Sequence, residues 1–174
     1  MIAGVVGAAA LLLVIAGAGK VVDPTRTVGA LRAVGWPASG LLVRAGAVGE
    51  TLLGAATLTY GGRVLPLLVA ASYLGFALFV MTALRAGTPV ATCGCLTRAD
   101  TPPSVTHVVV NGLLAAGAVA AGATDAPALL DASWPAWVVA GALTAYVVLA
   151  FLAAAPGRTQ QDERRAAGGV PPQA

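Results

Sequence analysis

The sequence has two cysteines, and they stand together as Cys93 and Cys95 on either side of Gly94. Two thiols this close can close a disulfide, and Gly94, with no Cβ, frees the backbone for so tight a ring. Such a ring is strained, and strained disulfides exchange readily with other thiols. The functional reading is a dithiol that carries two electrons by thiol–disulfide exchange. Two other readings stand beside it. The thiols are inert and packed as small hydrophobes, or they form a soft-metal site for copper or zinc with His107 as third ligand.

His107 is the single histidine, and Asn111 follows one helical turn later on the same face. A histidine here can accept a proton from a thiol or stabilise a thiolate. Its plainer role is that of a helix-end residue satisfied by lipid headgroups or by Asn111.

Glu50 is the costliest residue of the chain, because it stands near the middle of an apolar run. An acid at that depth costs at least ~2–3 kcal/mol on insertion scales. It must be protonated, paired with another helix, or turned to water inside a bundle. Arg44 is roughly 240° away round the helix at ~3.6 residues per turn, so the two do not pair directly; Arg44 can instead snorkel to the helix end. Proton relay and hydrogen bonding to a quinone are the functional candidates for Glu50. The structural alternative is a neutral acid bonded to a Thr, a Tyr or a backbone carbonyl.

The elements that must position these groups are membrane helices. Hydrophobic residues make up 58% of the 174 residues and charged residues 10%, against roughly a quarter charged in a soluble domain. So few charges cannot clothe a soluble globule, and disorder is excluded by the same figures. Five apolar stretches of 19 to 22 residues run from Met1 to Gly19, Leu41 to Gly62, Val64 to Leu84, Ser104 to Ala123 and Trp134 to Ala155. Each is long enough to cross a hydrocarbon core of ~30 Å, and the need to satisfy every backbone amide in lipid makes them helices. The fold class is therefore all-α, a polytopic bundle of about five spans over residues 1–156 with a polar, disordered tail over 157–174. The first span has no basic residue ahead of its apolar run, so it reads as a retained helix and not a cleaved signal.

Between the first two spans, Asp23 and Pro24 give a turn and Thr25 can cap a helix. Val28, Leu31 and Val34 then recur at helical spacing. A short interfacial helix ending at Gly35, Trp36 and Pro37 is expected. Gly61, Gly62 and Arg63 make the second and third spans a tight antiparallel hairpin. Pairs of small residues (Gly4 with Ala8, Gly117 with Ala121, Gly141 with Ala145) suit close helix packing.

Lys20, Arg26, Arg32, Arg85, Arg98, Arg158, Arg164 and Arg165 fall on one side of this topology, and Arg63 stands alone on the other. The bias puts the N-terminus outside and the tail in the cytoplasm of a bacterial inner membrane. No nucleotide-binding, zinc-protease or serine-hydrolase motif is present, and no basic or aromatic platform suits nucleic acid.

The run from Lys20 to Pro24, the run from Glu50 to Gly54, Cys93-Gly94-Cys95, and His107 with Asn111 together resemble the MauE/DoxX family of redox-associated membrane proteins, in its methylamine-utilisation branch. The likeness extends from Met1 to about Ala123. It departs from the family pattern at Leu96-Thr97, where Phe-Gly is usual, and at Val110, where Arg is common. The resemblance implies a four-helix core plus one span, assisting disulfide chemistry beside a thioredoxin-like partner and supporting maturation of methylamine dehydrogenase. The charge bias puts Cys93 and Cys95 on the cytoplasmic side, whereas disulfide maturation takes place outside. A loop from Arg85 to Pro103 that folds back into the bundle would resolve this by relaying electrons through the membrane.

Overall fold

The computed structural model describes residues 2–86 and 104–153, with side chains through residue 150. Cys93, Cys95, the loop that carries them and the tail over 157–174 lie outside the described residues. Among the described residues there are six helices: α1 (Ile2–Val22), α2 (Thr25–Ala33), α3 (Gly40–Tyr60), α4 (Val64–Ala86), α5 (Val105–Ala123) and α6 (Trp134–Ala153). The expected all-α architecture is present. The helices α1, α3, α4 and α5 are each long and apolar enough to cross a membrane, and α6 is a fifth apolar helix of 20 residues.

The first helix is the hub, packing against α3, α4, α5 and α6. Its sequence suits that place, because runs of Ala and Gly let neighbouring backbones come close. Ala8, Ala9 and Ala10 are fully buried. The antiparallel contact with α3 is closest at two glycines. A Cβ on Gly17 would stand 2.5 Å from Thr51 Oγ1 and 2.8 Å from the Ala47 carbonyl, and one on Gly54 would stand 2.6 Å from the Ala10 carbonyl. Gly4 meets α6 and Gly117 meets Val5 at similar range, whereas a Cβ on Gly141 would meet nothing. The small-residue pairs at Gly4 and Gly117 thus mark close approaches, and the pair at Gly141 does not.

The turn between α3 and α4 is as tight as expected, with Gly61 at φ 61° and Gly62 at φ 80°, values that glycine adopts without steric cost. Beyond the turn the two helices diverge. α3 leans on α1, α4 pairs with α5, and a cleft opens between α3 and α4.

The short helix α2 is present where the apolar spacing placed it, and its cap differs in detail. Thr25 is the first helical residue, and Pro24 holds the N-cap position without a side-chain bond. The acceptor comes from Asp23, whose carboxylate takes hydrogen bonds from the Thr25 amide at 3.0 Å and from the Thr25 hydroxyl. Those bonds, chiefly the one from the hydroxyl, hold the exposed Asp23 carboxyl below its ordinary range. Ala30, with Leu31 and Val34, packs onto Phe79, Val80 and Ala83 of α4 and Val108 of α5. Trp36 closes the segment edge-on against Phe79, ring centroids 5.9 Å apart.

Candidate functional site

Alternation of the helices brings the C-terminal ends of α1 and α4 and the N-terminal ends of α3 and α5 to one end of the bundle, and α2 packs there too. Lys20 and His107 belong to that end, and Glu50, midway along α3, meets Lys20 from within the bundle. The described chain stops at Ala86 and resumes at Ser104 there as well, so both attachment points of the cysteine-bearing segment flank the same site.

Glu50 finds its partner on α1. Nζ of Lys20 donates to Oε2 of Glu50 at 2.7 Å, with the two side chains 8% and 20% exposed. Of the states open to an acid at this depth, pairing with another helix is the one observed. Lys20 is not the loop cation that the end of the apolar run at Gly19 suggests. The helix continues to Val22, so Lys20 falls one turn beyond Ala16 on the inward face, next to the helix pair joined at Gly17. Its ammonium also stands 4.5 Å from the centroid of the Phe76 ring, an attraction worth more when both groups are desolvated. Arg44, in contrast, reaches the end of α1 and donates from Nε to the Val21 carbonyl at 3.2 Å, a favourable place for a cation.

His107 is buried, 3% exposed. Its Nδ1 is 2.7 Å from the Ser104 hydroxyl, so the residue just before α5 orients the ring. The Asn111 Nδ2 donates to the His107 backbone carbonyl at 2.7 Å. Across the core, the Tyr73 hydroxyl donates to the Ala9 carbonyl at 2.7 Å, and the Tyr73 and Phe76 rings meet edge to face.

Two cavities share Lys20. An inner one of about 50 Å³ is lined by Lys20, Tyr73, Phe76, His107, Asn111 and Val147, among others, and has room for a few waters. An outer cleft of about 300 Å³, between α3 and α4, is lined by Lys20, Trp36, Glu50, Gly75, Phe76 and Phe79, among others. Lys20 and Phe76 form the partition between them. Glu50 lines the cleft, Lys20 both cavities and His107 the inner one, so three ionisable side chains follow one another from the cleft inward. Among the described residues no group of three His, Cys, Asp or Glu side chains is placed to hold a metal ion.

Sequence reasoning singled out Glu50 and His107, and the structure joins the two through the cavities of Lys20. Lys20 itself was missed as a site residue. Its signal was a single cation three residues before the Asp23-Pro24 turn, with Val21 and Val22 still to come in a helix.

Residues 1–124 match the family described as methylamine utilisation protein MauE. No curated protein and no solved structure matches the chain. The matched region contains α1 to α5 and all of Lys20, Glu50, Cys93, Cys95 and His107, while α6 lies beyond it. On that match, and on four helices long and apolar enough to cross a bilayer, the chain is a multi-pass membrane protein of the MauE family.

Proposed function

We propose that this protein is a membrane component of methylamine utilisation in which Cys93 and Cys95 relay electrons by thiol–disulfide exchange. The observation that carries the reading is the family match across residues 1–124, which takes in the cysteine pair together with a buried ionic site at the end of the bundle where that segment is attached. In the exchange, a thiolate of a thioredoxin-like partner attacks one sulfur of the Cys93–Cys95 disulfide and forms a mixed disulfide. The partner's second thiolate then displaces the remaining bond. The partner leaves oxidised, and the pair takes up two electrons and two protons. His107 and the Lys20–Glu50 pair are the groups that would supply those protons. By charge, Arg26, Arg32 and Arg85 put this end of the bundle in the cytoplasm of a bacterial inner membrane.

A membrane-impermeant maleimide applied to intact cells, with and without mild reduction, tests the reading. Labelling at Cys93 and Cys95 that depends on reduction supports a reversible disulfide. Its confinement to lysed cells supports the cytoplasmic placement. Thiols that label equally with and without reduction would favour inert cysteines, and thiols that retain bound copper or zinc through purification would favour a metal-handling protein.

A further inference from the structure

We propose that the cleft between α3 and α4 binds the ring of a lipid-soluble quinone, with Lys20 and Glu50 as its polar contacts. The binding site stands on its own geometry; its role as electron acceptor rests on the dithiol reading above.

The cleft is built as a ligand site. Its volume of about 300 Å³ is at the lower bound for small-molecule pockets, which are mostly apolar with a few placed polar groups. The walls are aromatic, with Phe76 and Phe79 on α4 and Trp36 set edge-on to Phe79, a setting that suits a planar ring. Gly46 on α3 and Gly75 on α4 both line the cleft. Both are exposed, and a Cβ at either would meet nothing within 4 Å. The gap is therefore made by two missing side chains. Leu42, one turn before Gly46, and Leu74 and Leu78, on either side of Gly75 in sequence, are exposed and apolar.

The charge at the floor selects the ligand. An anionic headgroup would gain from Lys20 and be repelled by Glu50, and a cationic one would meet the reverse. A neutral molecule that accepts hydrogen bonds in one state and donates them in another matches both. A quinone carbonyl accepts from the Lys20 ammonium, and a quinol hydroxyl donates to the Glu50 carboxylate. In the overall step the reduced Cys93 and Cys95 thiols lose two electrons and two protons and form one S–S bond, and the quinone gains both and becomes the quinol. Lys20 also lines the inner cavity with His107, which gives those protons a route toward the cleft.

The test uses the full chain in detergent with Trp134→Phe and Trp137→Phe, so that Trp36 reports alone. Titration with a short-chain ubiquinone should quench its fluorescence saturably, and equally well in a Cys93→Ser, Cys95→Ser background. Gly75→Leu and Gly46→Leu, whose added Cβ would meet nothing within 4 Å, should weaken binding about tenfold or more while the helical circular dichroism is kept. Quenching that never saturates, or that is unchanged in both leucine variants, is partition into the micelle and overturns the site. Adding the same quinone to the reduced chain without oxygen should form the disulfide. Saturable binding with no thiol oxidation would uphold the site and overturn its role as electron acceptor, while the labelling experiment above decides the dithiol reading by itself.

Discussion

Lys20 and Glu50, thirty positions apart on antiparallel helices, meet at 2.7 Å as a largely buried ion pair. Each charge is tolerable at that depth only because of the other. Removing one partner of a buried pair costs about 3–5 kcal/mol, whereas replacing both by apolar groups of similar size is near neutral. Lys20→Met should lower stability by about 3 kcal/mol, at the low end because Glu50 keeps some contact with the cleft. Adding Glu50→Leu to it should restore most of the loss. Unfolding curves in detergent for the two singles and the double give the coupling directly, and additive losses would mean the pair is not desolvated.

The contact between α1 and α3 makes a second, opposite pair of predictions. Gly54→Ala pushes a methyl to within 2.6 Å of the Ala10 carbonyl, and overpacking of this kind costs roughly 1–3 kcal/mol. Gly46→Ala, eight positions earlier on the same helix, meets open space and should be neutral or slightly stabilising through helix propensity. The melting temperature should therefore fall in Gly54→Ala and hold or rise slightly in Gly46→Ala.

Asp23 couples α2 to acidity. Its carboxyl titrates below the ordinary range because the Thr25 hydroxyl and amide bond the charged form. A group depressed in the folded state adds stability above its unfolded pKa and loses it as pH falls through the folded value. Docking of α2, followed by amide exchange at Thr25 and Arg26, should weaken on acidification in the native chain. In Asp23→Ala it should be weak at neutral pH already and nearly insensitive to acid.

On the exchange mechanism proposed for the cysteine pair, His107→Phe should slow mixed-disulfide formation by about a hundredfold, the lower range for loss of a proton-transfer group. Ser104→Ala, which removes the hydroxyl 2.7 Å from Nδ1, should slow it less. Stopped-flow mixing with a reduced thioredoxin reads both rates. Equal rates in His107→Phe and the native chain would leave His107 a structural residue.

Much of this architecture was legible in the residues, and the limits have physical causes. The helix spans could be read within a few positions because lipid forces every backbone amide into a helix, and Glu50 demanded a partner because a lone charge there is so costly. The partner could not be read. A cation after an apolar run looks like a loop residue, and only the continuation of α1 through Val21 and Val22 buries Lys20. The glycines behaved likewise. With 22 in the chain, spacing alone does not separate Gly17 and Gly54, where backbones touch, from Gly141, where nothing does. The cleft depends on α3 and α4 parting beyond a tight turn, a property of how both pack elsewhere.

One wall of the inner cavity has a separate origin. Val147 belongs to α6, which follows the residues 1–124 that match the family and packs mainly on α1. α6 thus supplies one wall of the cavity that His107 lines, and none of the wall of the outer cleft. A polar side chain in place of Val147 would wet the surroundings of the imidazole while leaving the Lys20–Glu50 pair, the Phe76 partition and the cleft as they are. The two chambers can in this way be tuned separately, the inner one from α6 and the outer one from α3 and α4.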